Sequence, residues 1–203
     1  MAGCKSLNED QVQAMVAQFQ GNPRNLALFI LSVKSGLRIG SLLSLTVGHV
    51  FRDGKMLEQV RVDREFMKGG KGFGKDGVQK SCVKSFTIRL HPDAQAALAT
   101  IVEGLPPETP LFRSGSSAAL GDQLRYTGWM KILKAAYKVI GFTGSKGQCA
   151  THSSRKTFAN KIHKASGNDV NMTAKLLGHN DLRNVTRYLE VTQSQLDALV
   201  LGE

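Results

Sequence analysis

Apolar side chains in the N-terminal part of the sequence recur at the three- and four-residue intervals of amphipathic helices. The first such set is Val12, Met15, Val16 and Phe19. Ser6 and Glu9 have the spacing of a capping box and predict where this helix begins, and Gly21-Asn22-Pro23 predicts where it ends. The next two predicted helices are Leu26–Lys34, broken at Gly36, and the short Ser41–Leu45.

The pattern then changes to the alternation of apolar and polar residues that is typical of β-strands. The alternating apolar residues are Val60 and Val62 in one predicted strand and Phe86, Ile88 and Leu90 in the other. The segment between them, Lys68–Lys84, is rich in glycine and lysine and is typical of a long hairpin connection.

Helical spacing returns after the second strand. Pro92 suits the first position of a helix that ends at Gly104, and an irregular connection follows over residues 105–121. One face of the next helix carries Leu124, Trp129, Leu133, Ala136 and Ile140. Further helices are punctuated by Gly167 and Gly178. The pattern therefore predicts a mainly α fold with a small antiparallel β-sheet (α+β), in a single domain over residues 1–203.

The charge of the chain narrows the choice of partner. Lysine and arginine total 27 against 16 acidic residues, which gives a net charge of +11. Such an excess favours polyanions, and nucleic acid is the commonest large polyanion in a cell. Cys4, Cys82 and Cys149 show no paired spacing, so neither a disulfide framework nor a zinc ribbon is expected. The N-terminus has no signal-peptide pattern and the apolar run over 26–33 is too short to span a bilayer, so we expect a cytoplasmic protein.

Several features along the chain carry residue types that suit phosphate chemistry. They are Gly36-Leu37-Arg38, a lysine where the first strand ends, His152 with Arg155, Gly178-His179, and Tyr188. His152 and Arg155 lie three residues apart at the start of a predicted helix, where the helix N-terminus adds positive potential. Gly178 follows a predicted helix end, and a left-handed turn there would direct His179 away from the helix. Tyr188 follows nine residues after His179.

This order and spacing resemble the phage integrase, or tyrosine recombinase, family. Residues 35–50, SGLRIGSLLSLTVGHV, resemble the first sequence box of the family, and residues 151–191 resemble the second. No single element is specific, whereas the ordered set is. The resemblance implies the catalytic-domain fold of a tyrosine recombinase. It also implies a site-specific recombinase that breaks and rejoins DNA strands through a covalent 3′-phosphotyrosyl intermediate, without a metal or another cofactor.

The resemblance also implies a role for each candidate residue. Tyr188 would be the nucleophile that attacks the phosphorus. Arg38 and Arg155 would hold the non-bridging oxygens, because a planar guanidinium can bind two oxygens and keeps its proton. His152 and His179 would hydrogen-bond the phosphate or move a proton near neutral pH.

A lysine of the hairpin would protonate the departing 5′-oxygen. Met67-Lys68-Gly69 matches the usual pattern of the family, so Lys68 is the predicted general acid. Lys71 is its rival and Lys75 a less favoured choice. If no lysine serves, His152 is the next candidate.

Two positions depart from the family pattern. The first box usually has an acid three residues after its arginine, and Ser41 occupies that place. The second box usually runs His-x-x-Arg-His, and Lys156 occupies its last place. Loss of the acid puts local positioning in question rather than the chemistry, and Lys156 keeps a positive charge near the start of the helix.

The resemblance further implies double-stranded DNA as a partner and a homo-oligomer, a tetramer, on that DNA, with a monomer open as the free state. The catalytic pattern begins within the first residues, so the N-terminal core-binding domain of most members is expected to be absent. An excised domain and a naturally minimal enzyme both stay open. The amphipathic stretch with Leu196, Leu199 and Val200 resembles the tail that, in the family, docks on a neighbouring subunit.

Three functions stay open at this point. The first is site-specific recombination by a phage or mobile-element enzyme or a bacterial nucleoid protein. The second is the same cleavage used by a type IB topoisomerase or a telomere resolvase, and the third is a DNA-binding regulator without cleavage. The complete set of candidate residues argues against the regulator. Ser153 and Ser154 lack the G-x-S-x-G pattern of a hydrolase, and His49, His91 and His163 are interpreted as structural or exposed.

Overall fold

The computed structural model describes residues 4–67, 84–115, 121–145, 148–178, 185 and 189. Helices in these residues are α1 (Glu9–Phe19), α2 (Pro23–Ser35), α3 (Ile39–Leu43), α4 (Pro92–Val102), α5 (Tyr126–Val139), α6 (His152–Ala165) and α7 (Val170–Leu176). Strands in these residues are β1 (Phe51–Arg52), β2 (Lys55–Met56), β3 (Gln59–Val62) and β4 (Phe86–Arg89). None of the described helices combines the length and the apolar character that crossing a membrane requires.

The chain forms two compact units, Met1–Phe158 and Ala159–Glu203. In the first unit, aromatic rings of three helices form the centre of the core. The Phe19 ring of α1 lies 5.8 Å from the Phe29 ring of α2 and 5.9 Å from the Trp129 ring of α5. All three side chains are buried, so α1, α2 and α5 are held as one group. The assignment of residues 1–203 to a single domain stays a prediction.

The starts of the first two helices are set by asparagine. Asn8 accepts a hydrogen bond from the Gln11 N–H at 2.8 Å, and the Gln11 side chain accepts one from the Asn8 N–H at 3.1 Å. The predicted capping box of Ser6 and Glu9 is therefore wrong, because Asn8 and Gln11 form the capping box two residues later. Asn22 caps α2, which begins at Pro23, earlier than predicted.

The predicted strand pair is confirmed as β3 and β4. They are antiparallel, with Val60 opposite Ile88 and Val62 opposite Phe86. A second antiparallel pair, β1 and β2, was not predicted, because strands of two residues are too short to show alternation. The mainly α fold with a small antiparallel sheet is thus confirmed, with two small sheets in the described residues in place of one.

In the second unit, side chains of the turn between the end of α6 and the start of α7 make hydrogen bonds to the backbone. Asp169 caps α7 by accepting hydrogen bonds from the Asn171 and Met172 N–H groups at 2.7 and 3.0 Å. The Thr173 hydroxyl donates to the Asp169 carbonyl at 2.7 Å. Gly178 has a φ of 64°, which is the left-handed turn that the sequence predicts there.

In the first unit, α6 packs directly on the turn between α2 and α3. Gly36 forms this turn with a φ of 61° and its Cα faces the ring of Phe158, one turn after Arg155 on α6. A Cβ atom at Gly36 would overlap that ring. Gly36 is therefore required both by its left-handed backbone and by the close approach of α6.

Gly36→Ala should lower the free energy of unfolding by about 2 to 5 kcal/mol, which combines left-handed strain with overpacking against Phe158. The matched control is Gly104→Ala, since Gly104 follows α4 with a φ of 72° and has nothing within 4 Å of the added Cβ. The control should lose only the backbone part, about 1 to 2 kcal/mol. Urea titrations followed by circular dichroism measure both values. Equal losses in the two variants would show that the contact with Phe158 does not constrain Gly36.

Candidate active site

Arg38 lies at the N-cap position of α3, two residues after Gly36. The backbone of this turn is held by Ser35, whose hydroxyl donates to the Leu31 carbonyl at 2.6 Å and accepts from the Leu37 N–H at 3.3 Å. The Arg38 side chain is half-buried. The end of α2 and the start of α3 therefore fix the backbone from which the first candidate arginine projects.

Arg155 lies in the first turn of α6 and is buried, with 3% of its surface exposed. Its Nη1 donates a hydrogen bond to the Gly36 carbonyl. A guanidinium carries several N–H donors in one rigid plane, and the bond to Gly36 engages one of them. The structure thus brings the second candidate arginine to the turn that carries Arg38, although the two are far apart in sequence.

Hydroxyl groups hold the residues just before α6. The Tyr137 hydroxyl of α5 donates to the Ala150 carbonyl at 3.4 Å, and burial raises the pKa of Tyr137, so the phenol stays protonated. The Tyr126 hydroxyl lies 3.5 Å from the Thr151 hydroxyl. His152 follows at the first position of α6 and is exposed. The N-terminus of α5 and the start of α6 are therefore neighbours, with an exposed histidine at the start of α6.

The two serines after His152 have structural roles. The Ser153 hydroxyl is fully buried, accepts from the Ala150 N–H at 3.3 Å and lies 3.0 Å from the Cys4 Sγ. Ser154 is also buried, with 3% of its surface exposed. Neither hydroxyl is open to a substrate, which agrees with the argument against a hydrolase.

Ser41 has a role that the sequence did not reveal. Its side chain is buried on α3, and its hydroxyl donates to the Phe66 carbonyl at 2.8 Å. The same oxygen lies 3.9 Å from the Met67 Sδ. Residues far apart in sequence leave no local signal of such a contact, so only the departure from the family pattern marked this position.

Three of the predicted site residues, Arg38, His152 and Arg155, are among the described residues. Lys68, His179 and Tyr188 lie outside the described residues, as do the rival lysines Lys71 and Lys75. The catalytic roles of all six predicted site residues, described or not, stay predictions. In the described ranges, no group of three or more His, Cys, Asp and Glu side chains could hold a metal ion.

The other two histidines of the first unit, His49 and His91, accept hydrogen bonds from backbone N–H groups close to them in sequence. The His49 Nδ1 accepts from the Thr46 N–H at 3.0 Å. The His91 Nδ1 accepts from the Asp93 N–H at 3.2 Å at the start of α4. Both contacts agree with the interpretation of these histidines as structural.

Positive charge is distributed unevenly over the described surface of the first unit. On strands β3 and β4, the exposed arginines face acids in the pairs Arg61–Asp63 and Arg89–Glu58, each at 3.2 Å. Helix α5 instead has no acidic residue and carries three exposed lysines, Lys131, Lys134 and Lys138. We call these the α5 lysines. They share one face, span about 10 Å along the helix axis, and form no ion pair within the part of the chain that the structure describes.

Comparison with known proteins relates this chain to one family. The sequence pattern of the phage integrase family matches residues 5–195. The tyrosine recombinase XerC of Rickettsia peacockii (strain Rustic) is 28% identical over 206 aligned residues, which cover 96% of this chain and 58% of that protein. The chain therefore spans a little more than half the length of the curated relatives that it matches.

Solved structures share the fold at low sequence identity. The XerA recombinase superposes with a TM-score of 0.70 at 16% identity, over 98% of this chain and 64% of that one. The Tn1549 transposon integrase in complex with a circular intermediate DNA gives a TM-score of 0.68 at 14% identity, over 100% of this chain and 66% of that one. The fold is that of tyrosine recombinase catalytic domains. Because the family pattern covers nearly the whole sequence, the chain belongs to the phage integrase family.

Proposed function

We propose that this chain is the DNA-cutting domain of a site-specific recombinase, which cleaves and rejoins duplex DNA through a 3′-phosphotyrosyl bond to Tyr188. The observation that supports this most is the buried Arg155, which is fixed to the turn that carries Arg38. Two arginines at one place suit a phosphodiester, whose negative charge spreads over its non-bridging oxygens during attack.

The proposed step is balanced: one bond to phosphorus forms as another breaks, and each proton has a donor and an acceptor. The Tyr188 phenolic oxygen forms a bond to phosphorus, and the bond from phosphorus to the 5′-oxygen breaks. The phenolic proton passes to His152 or His179, and the 5′-oxygen takes a proton from Lys68, with Lys71 as the alternative donor. Reversal by a free 5′-hydroxyl rejoins the strand, so the covalent link conserves the energy of the broken bond.

Burial gives Arg155 a second advantage in this chemistry. Donors that are fixed before the reaction stabilise developing charge without reorganising, and they act more strongly where water is excluded. The Gly36 carbonyl fixes the Arg155 guanidinium in this way. A lysine at this position would keep the charge but would lack the rigid planar donors that can serve Gly36 and a phosphate together.

Duplex DNA is the proposed partner, and two observations support it. The related Tn1549 integrase was solved in complex with DNA. In this chain the net charge is +11, and the α5 lysines present three cations on a helix whose first residue, Tyr126, lies next to Thr151. Lysines in such a row suit contacts to backbone phosphates, which fix position without reading sequence.

Assembly as a tetramer on DNA is part of the same proposal. Recombination between two duplexes requires cleavage of four strands, and each subunit supplies one nucleophile in the proposed chemistry. The tail with Leu196, Leu199 and Val200 lies outside the described residues.

Tyr188→Phe should abolish covalent attachment to DNA while leaving binding unchanged, because only the attacking oxygen is lost. The 203-residue chain is incubated at low salt with nicked duplexes of randomised sequence, and denaturing electrophoresis then detects protein that stays attached. Attachment of the Phe variant would exclude Tyr188 as the nucleophile. Binding by the wild-type chain with no attachment to any duplex would favour the DNA-binding regulator.

Arg38→Ala should slow covalent attachment by about 10²-fold or more, as for the loss of one transition-state donor. Arg155→Lys, which keeps the buried charge, should slow it similarly and should remain folded by circular dichroism. EDTA should leave the wild-type rate unchanged, because the arginines supply the positive charge in the proposed step. Attachment that needs added magnesium, or an Arg38→Ala variant as fast as wild type, would contradict these roles.

Replacing all three α5 lysines by glutamine should weaken DNA binding and its salt dependence together. Each phosphate contact contributes about 0.9 to the slope of log affinity against log salt, so the slope should fall by up to about 2.7. The matched control removes equal charge at exposed strand positions, through Lys55→Gln, Arg61→Gln and Arg89→Gln. Fluorescence titrations of duplex DNA across a salt series measure the slopes. Equal changes in both triple variants would show that α5 has no special place in the DNA contact.

A further inference from the structure

The Ser41 hydroxyl makes a contact unlike those of most neighbouring hydroxyl groups. Ser35 and Ser44 bond to carbonyls of their own helical turns, at Leu31 and Ser41. Such local bonds are common for serine in helices and carry no information about tertiary structure. Ser41 instead donates to the carbonyl of Phe66, 25 residues away, at 2.8 Å.

This contact lies between two parts of the proposed site. Ser41 follows Arg38 by three residues on the short helix α3, and 2% of its surface is exposed. Phe66 and Met67 are the last described residues before Lys68, and Met67 is also buried. The hydrogen bond therefore fixes the backbone at Phe66, two residues before the predicted general acid.

We propose that Ser41 is a positioning residue for the leaving-group acid. Through the Phe66 carbonyl it holds the residues before Lys68 at a set distance from the helix that begins at Arg38. This inference rests on the proposed function, because it concerns the proton that Lys68 would give to the 5′-oxygen. Ser41 itself contacts neither DNA nor the reacting atoms in this proposal.

The direction of the hydrogen bond leads to an unexpected consequence. A carbonyl oxygen only accepts, so the partner at position 41 must donate, and an ionised carboxylate cannot. An acid here would place a buried negative charge against the Phe66 carbonyl, which is more costly than losing one hydrogen bond. Although the family usually has an acid at this place, Ser41→Asp should be more damaging in this chain than Ser41→Ala.

The leaving group provides a test that a purely structural role would not pass. A duplex with sulfur in place of the 5′-bridging oxygen releases a thiolate, which needs no proton. Ser41→Ala should slow covalent attachment to normal DNA by about tenfold or more, part of what a general acid contributes. On the sulfur duplex the same variant should react at nearly the wild-type rate.

Ser44→Ala is the matched control, because Ser44 caps the end of the same helix and, among the described residues, its hydroxyl bonds only to the Ser41 carbonyl, at 2.9 Å. Its rates on the two duplexes should change by the same factor. Lys68→Ala and Lys71→Ala are measured beside it, and the lysine whose removal gives the larger difference between the two duplexes is the general acid. Ser41→Ala should then show the same kind of difference to a smaller degree.

Two outcomes would overturn the inference about Ser41. One is equal slowing of Ser41→Ala on both duplexes, which would make Ser41 a stabilising residue only. The other is a Ser41→Asp chain as stable as Ser41→Ala in urea titration, which would contradict the donor argument. A wild-type chain that attaches to neither duplex would instead refute the proposed function, and the inference with it.

Discussion

The hydrogen bond from the buried Arg155 guanidinium to the Gly36 carbonyl is the contact on which the arrangement of the site depends. It joins the start of α6 to the turn between α2 and α3. These two segments are 119 residues apart in the sequence. A buried cation is costly unless hydrogen bonds compensate for lost hydration. The contact therefore requires a close approach, and Gly36 permits it, because a side chain there would meet Phe158. The Arg155 hydrogen bond and the close packing of α6 therefore both depend on glycine at position 36.

The short helix α3 connects this contact to the rest of the proposed chemistry. Its N-cap residue is Arg38, and its buried side carries Ser41, which reaches the Phe66 carbonyl. A helix of five residues has little stability of its own, since nucleation is unfavourable and few hydrogen bonds form. Tertiary contacts at both ends must therefore hold it in place. The same contacts fix the backbone at Arg38 and at Phe66, which lies just before Lys68.

Exposed charges on β3 and β4 differ from those on α5. Exposed arginines on β3 and β4 face acids, so their fields are largely cancelled at short range. The α5 lysines have no acid on their own helix, while the opposite face of α5 is fixed in the core by Trp129 and Leu133. Since α5 cannot rotate without exposing that face, its lysines are presented outward. This is the distribution expected of a surface that meets a polyanion.

The sequence alone determined the elements whose signals are local and repeated. Helical spacing predicted most of the helices, strand alternation predicted β3 and β4, and the order of His152, Arg155, His179 and Tyr188 indicated the family. It misplaced the cap of α1, because Asn8 and Gln11 offer the same spacing as Ser6 and Glu9, and it missed β1 and β2, whose strands are too short to alternate. The catalytic roles of all six predicted site residues stay predictions, those of Arg38, His152 and Arg155 as much as those of Lys68, His179 and Tyr188. Only the tertiary structure decided that Arg155 is buried against Gly36 and that Ser41 donates to Phe66. Each of these contacts joins residues far apart in the chain, and such a pairing leaves no periodic pattern in either segment.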